Sequence, residues 1–222
     1  MKSKDPDGRY SNKYFDKHYE GGYETQANNP VFAKKFKETV SLGLKKGKVL
    51  DVGCAYGYFL KPFIEAGFDS YGVDVSKHAI KTARKLFPEA TFKVCNIDTS
   101  HLPFADNFFD SVIQIFLLEH VENYYQTLKE CHRVLKKGGI LFIYIPTERR
   151  WYGDETHINI FTTKSLSTTL ERLEFRVVKI GEEGGRFQNL FGAVRLIKNR
   201  HTMFNFVPSK TGSFISCHAI KV

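Results

Sequence analysis

One stretch restricts the fold more than any other: the apolar run that breaks into a glycine-bounded turn at Lys48-Val49-Leu50-Asp51-Val52-Gly53-Cys54-Ala55-Tyr56-Gly57. Branched apolar residues ending on glycine read as a buried strand entering a tight turn, because glycine accepts backbone angles and close approaches that a Cβ forbids. The helix expected to start near Gly57 would aim free N–H groups and a partial positive charge at that turn. A strand–turn–helix unit of this kind seats nucleotide-like ligands.

The spacing narrows the ligand. A dinucleotide turn needs G-x-G-x-x-G, and here Cys54-Ala55 follow Gly53, so the second glycine is missing. The Gly-Lys-Ser/Thr ending of a phosphate-cradling loop is also absent. One glycine at each end, with an acid two positions before the first, suits a ligand without a pyrophosphate.

The rest of the chain repeats the same rhythm. Apolar runs at Lys48–Cys54, Ser70–Val75, Thr91–Ile97, Asp110–Leu117, Ile140–Ile145, Arg176–Ile180 and Ser213–Val222 read as strands, several of them continuous as in sheets covered on both faces. Between them, Val31–Gly43, Tyr58–Ala66, Lys77–Phe87, Tyr124–Leu135 and Thr163–Leu173 read as helices. Ser76 and Thr162 or Thr163 are the expected N-caps, and Lys136-Lys137-Gly138-Gly139 is read as a cationic helix end followed by glycine. Residues 1–30 form the expected N-terminal arm or lid, and residues 31–222 one domain with a substrate-side insertion at 184–212.

Five motifs now stand in order. They are Val49–Gly57; Tyr71-Gly72-Val73-Asp74-Val75-Ser76; Asn96–Phe104 with Asn107-Phe108-Phe109-Asp110; Phe116-Leu117-Leu118-Glu119-His120-Val121; and Leu135–Leu141. In this order and spacing the chain resembles the class I S-adenosylmethionine-dependent methyltransferases, in the small-molecule branch often called type 11. The resemblance covers about residues 48–146 and extends weakly to Tyr14–Tyr19 and His157–Thr162. It implies a Rossmann-like α/β fold: a seven-stranded, mostly parallel sheet with an antiparallel last strand and helices on both faces.

The resemblance also implies roles. Cofactor contacts fall on Asp51, Gly53, Ala55 and Gly57 in the first motif, Asp74 and Val75 in the second, and Asn96, Ile97 and Asp98 in the third. Phe116 in the fourth motif joins them, with Tyr14 and Tyr19 from the arm. By that likeness Asp51 lies near the ammonium of the cofactor's methionine part, Asp74 holds the ribose diol, and Asp98 meets the adenine amino group. Local readings stay open beside these: Asp51 as a cap on the turn's own amides, and Asp98-Thr99-Ser100 as a plain turn with side-chain-to-backbone bonds. Tyr56 stands where the family has a small or acidic residue, and its role is open.

Glu119, His120 and His157 are the candidate catalytic residues. A histidine at the carboxyl edge of the sheet is suited to general-base work because its ordinary pKa is near neutrality; a packing role is the competing reading. The other histidines (His78, His101, His132, His201, His218) form no constellation, so no metal site is expected. Trp151 and Tyr152, after Arg149 and Arg150, are either a ring-and-anion subsite or a loop over the core.

Composition bears on compartment and partner. In 222 residues, 42% are hydrophobic and 26% charged, ordinary for a globular domain. Four scattered cysteines without a C-x-x-C pair suggest free thiols in a cytoplasmic protein. No run is long or apolar enough to span a bilayer. The net charge of +9, with no acid beyond Glu183, points either to a solvated basic surface or to an anionic partner. A small-molecule acceptor, in-line methyl transfer and an S-adenosylmethionine cofactor form the leading expectation. RNA modification, a non-catalytic cofactor-binding scaffold and aminopropyl transfer are the alternatives.

Overall fold

The computed structural model describes residues 23–44, 46–148, 156–184 and 213–222. Seven strands form one sheet: β1 (Lys48–Val52), β2 (Asp69–Asp74), β3 (Thr91–Val94), β4 (Phe109–Ile115), β5 (Leu135–Pro146), β6 (Phe175–Glu183) and β7 (Phe214–Lys221). Their order is β3-β2-β1-β4-β5-β7-β6. The first five run parallel, and β7 lies antiparallel to both β5 and β6. All seven strands stand where the apolar runs placed them, and the expected fold class holds.

The described helices are α1 (Pro30–Ser41), α2 (Lys61–Glu65), α3 (Lys77–Leu86), α4 (Tyr124–Val134) and α5 (Thr163–Arg172). Short 3-10 turns precede α1 and α2, at Tyr23–Asn28 and Tyr58–Leu60. Ser76 caps α3 by accepting the Ala79 N–H. Thr162 caps α5 in a reciprocal pair with Ser165, each satisfying a donor that the first helical turn leaves orphaned.

Alternation along the strands sends side chains to two cores. On β5, Leu141, Ile143 and Ile145 join Leu128, Cys131 and Val134 of α4 and Leu166 and Leu170 of α5 on one face. Ile140, Phe142 and Tyr144 join Phe63, Ala79, Ile80 and Ala83 of α2 and α3 on the other, with Phe32 and Phe36 of α1 packed against them. Lys35 of α1 is 1% exposed and is bonded to Glu183 and Glu38, which anchors α1 to the β6 edge.

The Lys136–Gly139 segment is not a helix end. α4 stops at Val134, with His132 and Arg133 as the basic residues of its last turn. Leu135 already pairs with Phe109 of β4, and the ladder resumes at Ile140 opposite Ser111. Leu135 is wholly buried, so it serves as a strand residue, and the four residues after it loop out as an irregularity in β5. There Lys136 reaches Asp110 at 2.7 Å. The proposed insertion begins at Gly184, and all of it after that residue lies outside the described part. So do most of the N-terminal arm, including Tyr14 and Tyr19, and the Arg149–Tyr152 segment.

Candidate active site

Strand order reverses between β1 and β4, the switch point at which open α/β sheets bind ligands beyond the strands' carboxyl ends. A cleft opens there. Its floor is made by Asp51 and Val52 at the end of β1 with Gly53, Cys54 and Ala55 of the turn after it, and its sides by Val73, Asp74 and Val75 at the end of β2. Cys95, Asn96, Ile97 and Asp98 follow β3, and Ile115 ends β4 with Phe116 and Leu117 after it. Thus nearly every residue that the motifs singled out between 51 and 116 borders one space.

The turn is held by its neighbours. Gly53 and Cys54 both donate their N–H to Val73 O, at 2.8 and 3.0 Å. Gly53 has φ +82°, and a Cβ there would stand 3.0 Å from Leu117 Cδ1. Gly57 is different: it does not border the cleft. It takes φ +80° at the start of the 3-10 turn, and a Cβ would press on Phe92 and Phe87. Ala55 and Phe116 carry positive φ without being glycine (46° and 53°). Both line the cleft, and such strain of about 1–3 kcal/mol persists where the surroundings impose it, often at functional sites.

The acids are placed differently from one another. Asp51 is 2% exposed, and its Oδ1 has no hydrogen-bond partner among the described residues. Burial first, and then the Asp74 carboxylate nearby, push its pKa from 3.8 up to about 8. Asp74 accepts the Ala55 N–H on Oδ2 at 2.9 Å and the Ser76 N–H on Oδ1 at 2.8 Å. Asp98 accepts from Glu122 N and Asn123 N at 2.9 and 3.3 Å, while its own N–H goes to Asn96 Oδ1. Asp98 therefore clasps the loop ahead of α4 by side-chain-to-backbone bonds, in a turn as the local reading had it, while also lining the cleft.

Several lining residues carried no sequence signal. Tyr23 and Gln26 of the first 3-10 turn, Phe32 of α1 and Phe59 before α2 reach the cleft, because α1 packs on the α2 region with the Phe32 and Phe59 rings 5.2 Å apart. Tyr56 turns away from the cleft: its hydroxyl meets His78 Nε2 at 3.1 Å. The cysteines are free and buried. In the cleft wall, burial pushes Cys95 up to about 11 and raises Cys54 as well, so both are neutral thiols that pack and do not attack.

Glu119, His120 and His157 come together beside the cleft, with ligating atoms within 4.8 Å of one another. Only His120 borders the cleft itself, next to Val121. Glu119 is 1% exposed. Its carbonyl accepts the N–H groups of Ile158 and Asn159 at 2.7 and 3.2 Å, and Asn159 Nδ2 donates to Leu118 O and Val121 O. That clasp brings residues far apart in sequence into one group.

Fold and cleft together define an α/β protein that takes a nucleoside-type ligand at its sheet's switch point. Comparison with known proteins narrows the class. A family described as methyltransferase domain matches residues 50–143. An uncharacterized protein of Methanocaldococcus jannaschii is 30% identical over 179 residues, covering 74% of this chain and 82% of its own. A demethylmenaquinone methyltransferase of Tropheryma whipplei is 36% identical over 106 residues, 46% of this chain and 43% of that enzyme. With the former excepted, the chain spans about half or less of the length of the curated relatives it matches. Among solved structures, a SAM-dependent methyltransferase from Archaeoglobus fulgidus superposes with a TM-score of 0.67 at 23% identity, covering 86% of this chain and 93% of that one. The chain belongs to the class I S-adenosylmethionine-dependent methyltransferases, and its cofactor is S-adenosylmethionine.

Proposed function

We propose that this chain transfers a methyl group from S-adenosylmethionine to a small-molecule acceptor at the cleft. The Asp51 carboxyl carries the reading. A buried carboxylate oxygen without a partner favours a cation beside it, and the amino-acid end of the cofactor brings an ammonium. Asp74 is assigned to the ribose hydroxyls: each of its oxygens already accepts one N–H, and a carboxylate oxygen has a second lone pair to offer. Asn96, Ile97, Asp98 and Val75 are assigned to the adenine side. Gly53 and Ala55 let the backbone approach, and Phe116 closes the wall opposite.

Bound there, the cofactor supplies a sulfonium methyl with a good leaving group. The protein's part is then to orient the acceptor and exclude water. Where the acceptor is a hydroxyl or an ammonium, His120 at the cleft edge receives its proton, with Glu119 and His157 behind it. Relatives named demethylmenaquinone methyltransferase and ubiquinone biosynthesis O-methyltransferase support a small acceptor. Among the described residues no helix is long and apolar enough to cross a membrane.

Methyl-labelled cofactor incubated with the protein and cell extract, followed by fractionation by size, tests this. Label in the small-molecule fraction is the expected result. Label in RNA would replace the acceptor class, and a protein that binds the cofactor yet labels no fraction would replace the enzyme with a scaffold.

A further inference from the structure

We infer that Glu119, His120 and His157 form a binding site for one first-row divalent cation of the zinc type. Two imidazoles and one carboxylate are the borderline nitrogen and oxygen donors that such cations take. Three protein ligands with a position left open is the arrangement of reactive rather than purely structural zinc sites. The three ligating atoms lie within 4.8 Å of one another. Donors about 2.1 Å from a shared tetrahedral zinc stand about 3.4 Å apart, so the site closes by about 1–1.5 Å, within the reach of side-chain rotation.

The surroundings prepare the ligands. His120 Nδ1 lies 3.3 Å from Thr156 O and 3.0 Å from Thr156 Oγ1. The carbonyl only accepts while the hydroxyl can do either; with Nδ1 protonated towards the carbonyl the Nε2 lone pair is left for a cation, the tautomer that outer-sphere partners select in metal-bound imidazole. The Asn159 side chain, bonded at 2.9 and 2.6 Å to the carbonyls of Leu118 and Val121, locks the segment that carries His157 against the loop that carries Glu119 and His120. A carboxylate as buried as Glu119, at 1% exposure, ionises more readily with positive charge alongside, and a shared cation supplies it.

The site adjoins the cleft through His120 alone. A liganded His120 no longer takes up a proton, so cation and general base are alternative uses of one side chain. The cation's place on the acceptor side rests on the proposed function; its binding does not.

Tag-free protein stripped with chelator and titrated with Co2+, read by visible absorption and by calorimetry, with Zn2+ as competitor, tests the inference. One Co2+ per chain, displaced by Zn2+, is expected. His157→Ala and Glu119→Gln should each weaken it about tenfold or more, with circular dichroism unchanged in at least the former. His157 does not line the cleft, so His157→Ala should keep its S-adenosylmethionine affinity. Absence of one-to-one binding, or binding that neither substitution moves, overturns the site. Uptake of Co2+ by a wild-type protein that ignores S-adenosylmethionine leaves the metal site standing and removes the proposed function instead.

Discussion

Asp74 Oδ2 accepts the backbone N–H of Ala55 at 2.9 Å, so the acid that ends β2 also fixes the turn that ends β1. Its other oxygen holds the N–H of Ser76, the cap of α3. One side chain thereby sets the shape of the cleft floor and lines the cleft itself.

Asp74→Ala should accordingly do more than remove a ribose contact. Hydrogen bonds to a charged group contribute about 1.5–3 kcal/mol each, so losing the partner of two backbone donors should lower stability by about 3 kcal/mol or more in urea unfolding. Cofactor affinity should fall at least tenfold. Asp74→Asn keeps one acceptor oxygen and should show the affinity loss with a smaller stability change. Unchanged stability in both variants would mean that the turn does not depend on the carboxylate.

Asp51 makes cofactor binding pH-dependent. Its folded pKa, raised from 3.8 to about 8 by burial and by Asp74, means the folded apo protein holds a proton that the unfolded chain gives up. Stability from this group is full below about pH 4 and is lost as pH rises towards 8. A cationic ligand group favours the ionised carboxylate, so S-adenosylmethionine binding near pH 7 should release close to one proton, and affinity should rise with pH up to about 8. Calorimetry in buffers of different ionisation enthalpy reads this directly; heats that do not vary with buffer would refute it.

Ala55 at φ 46° should be relieved by glycine. Strain of about 1–3 kcal/mol exceeds the backbone entropy that glycine costs, about 0.5–1 kcal/mol. Ala55→Gly is expected to raise stability by about 1 kcal/mol with the cofactor affinity kept. A lower melting temperature would show that the Ala55 methyl group packs more than it strains.

Acid should weaken the domain through Glu130. Burial alone would raise that carboxyl, but hydrogen bonds from Arg133, His101 and the Leu102 N–H overcome it and bring it down to about 2. Stability from the ionised form is therefore present above about pH 4.5 and lost as pH falls towards 2. Glu130→Gln should flatten the acid limb of a stability–pH curve; an unchanged limb would assign acid sensitivity elsewhere.

The centre of the sheet was legible because β1, β4 and β7 are buried on both faces and so read as apolar runs. β5 was the instructive case. Its first residue, Leu135, pairs with Phe109 ahead of the looped-out lysines and glycines, and an interrupted ladder has no period to read. The positions of Asp51, Asp74 and Asp98 could be read from strand ends, but not that Asp74 and Asp98 each bind two backbone N–H groups. Gly57 looked like a ligand contact because tight turns and close ligand approach both select glycine, and here the turn and the Phe92 ring account for it. Tyr23, Phe32 and Phe59 could not be read as lining residues, since only the packing of α1 on the α2 region brings them to the cleft. His157 could be singled out from the sequence but not its meeting with Glu119 and His120, which the Asn159 clasp brings about, and so a three-donor cluster arose in a sequence with no metal-ligand spacing.

Titration calorimetry of S-adenosylmethionine into the wild-type protein and into Asp51→Asn tests the central claim most directly. The predicted result is one cofactor bound per wild-type chain, with affinity reduced at least tenfold in the variant while its fold is kept. No binding to the wild type, or equal affinity in both proteins, would contradict it.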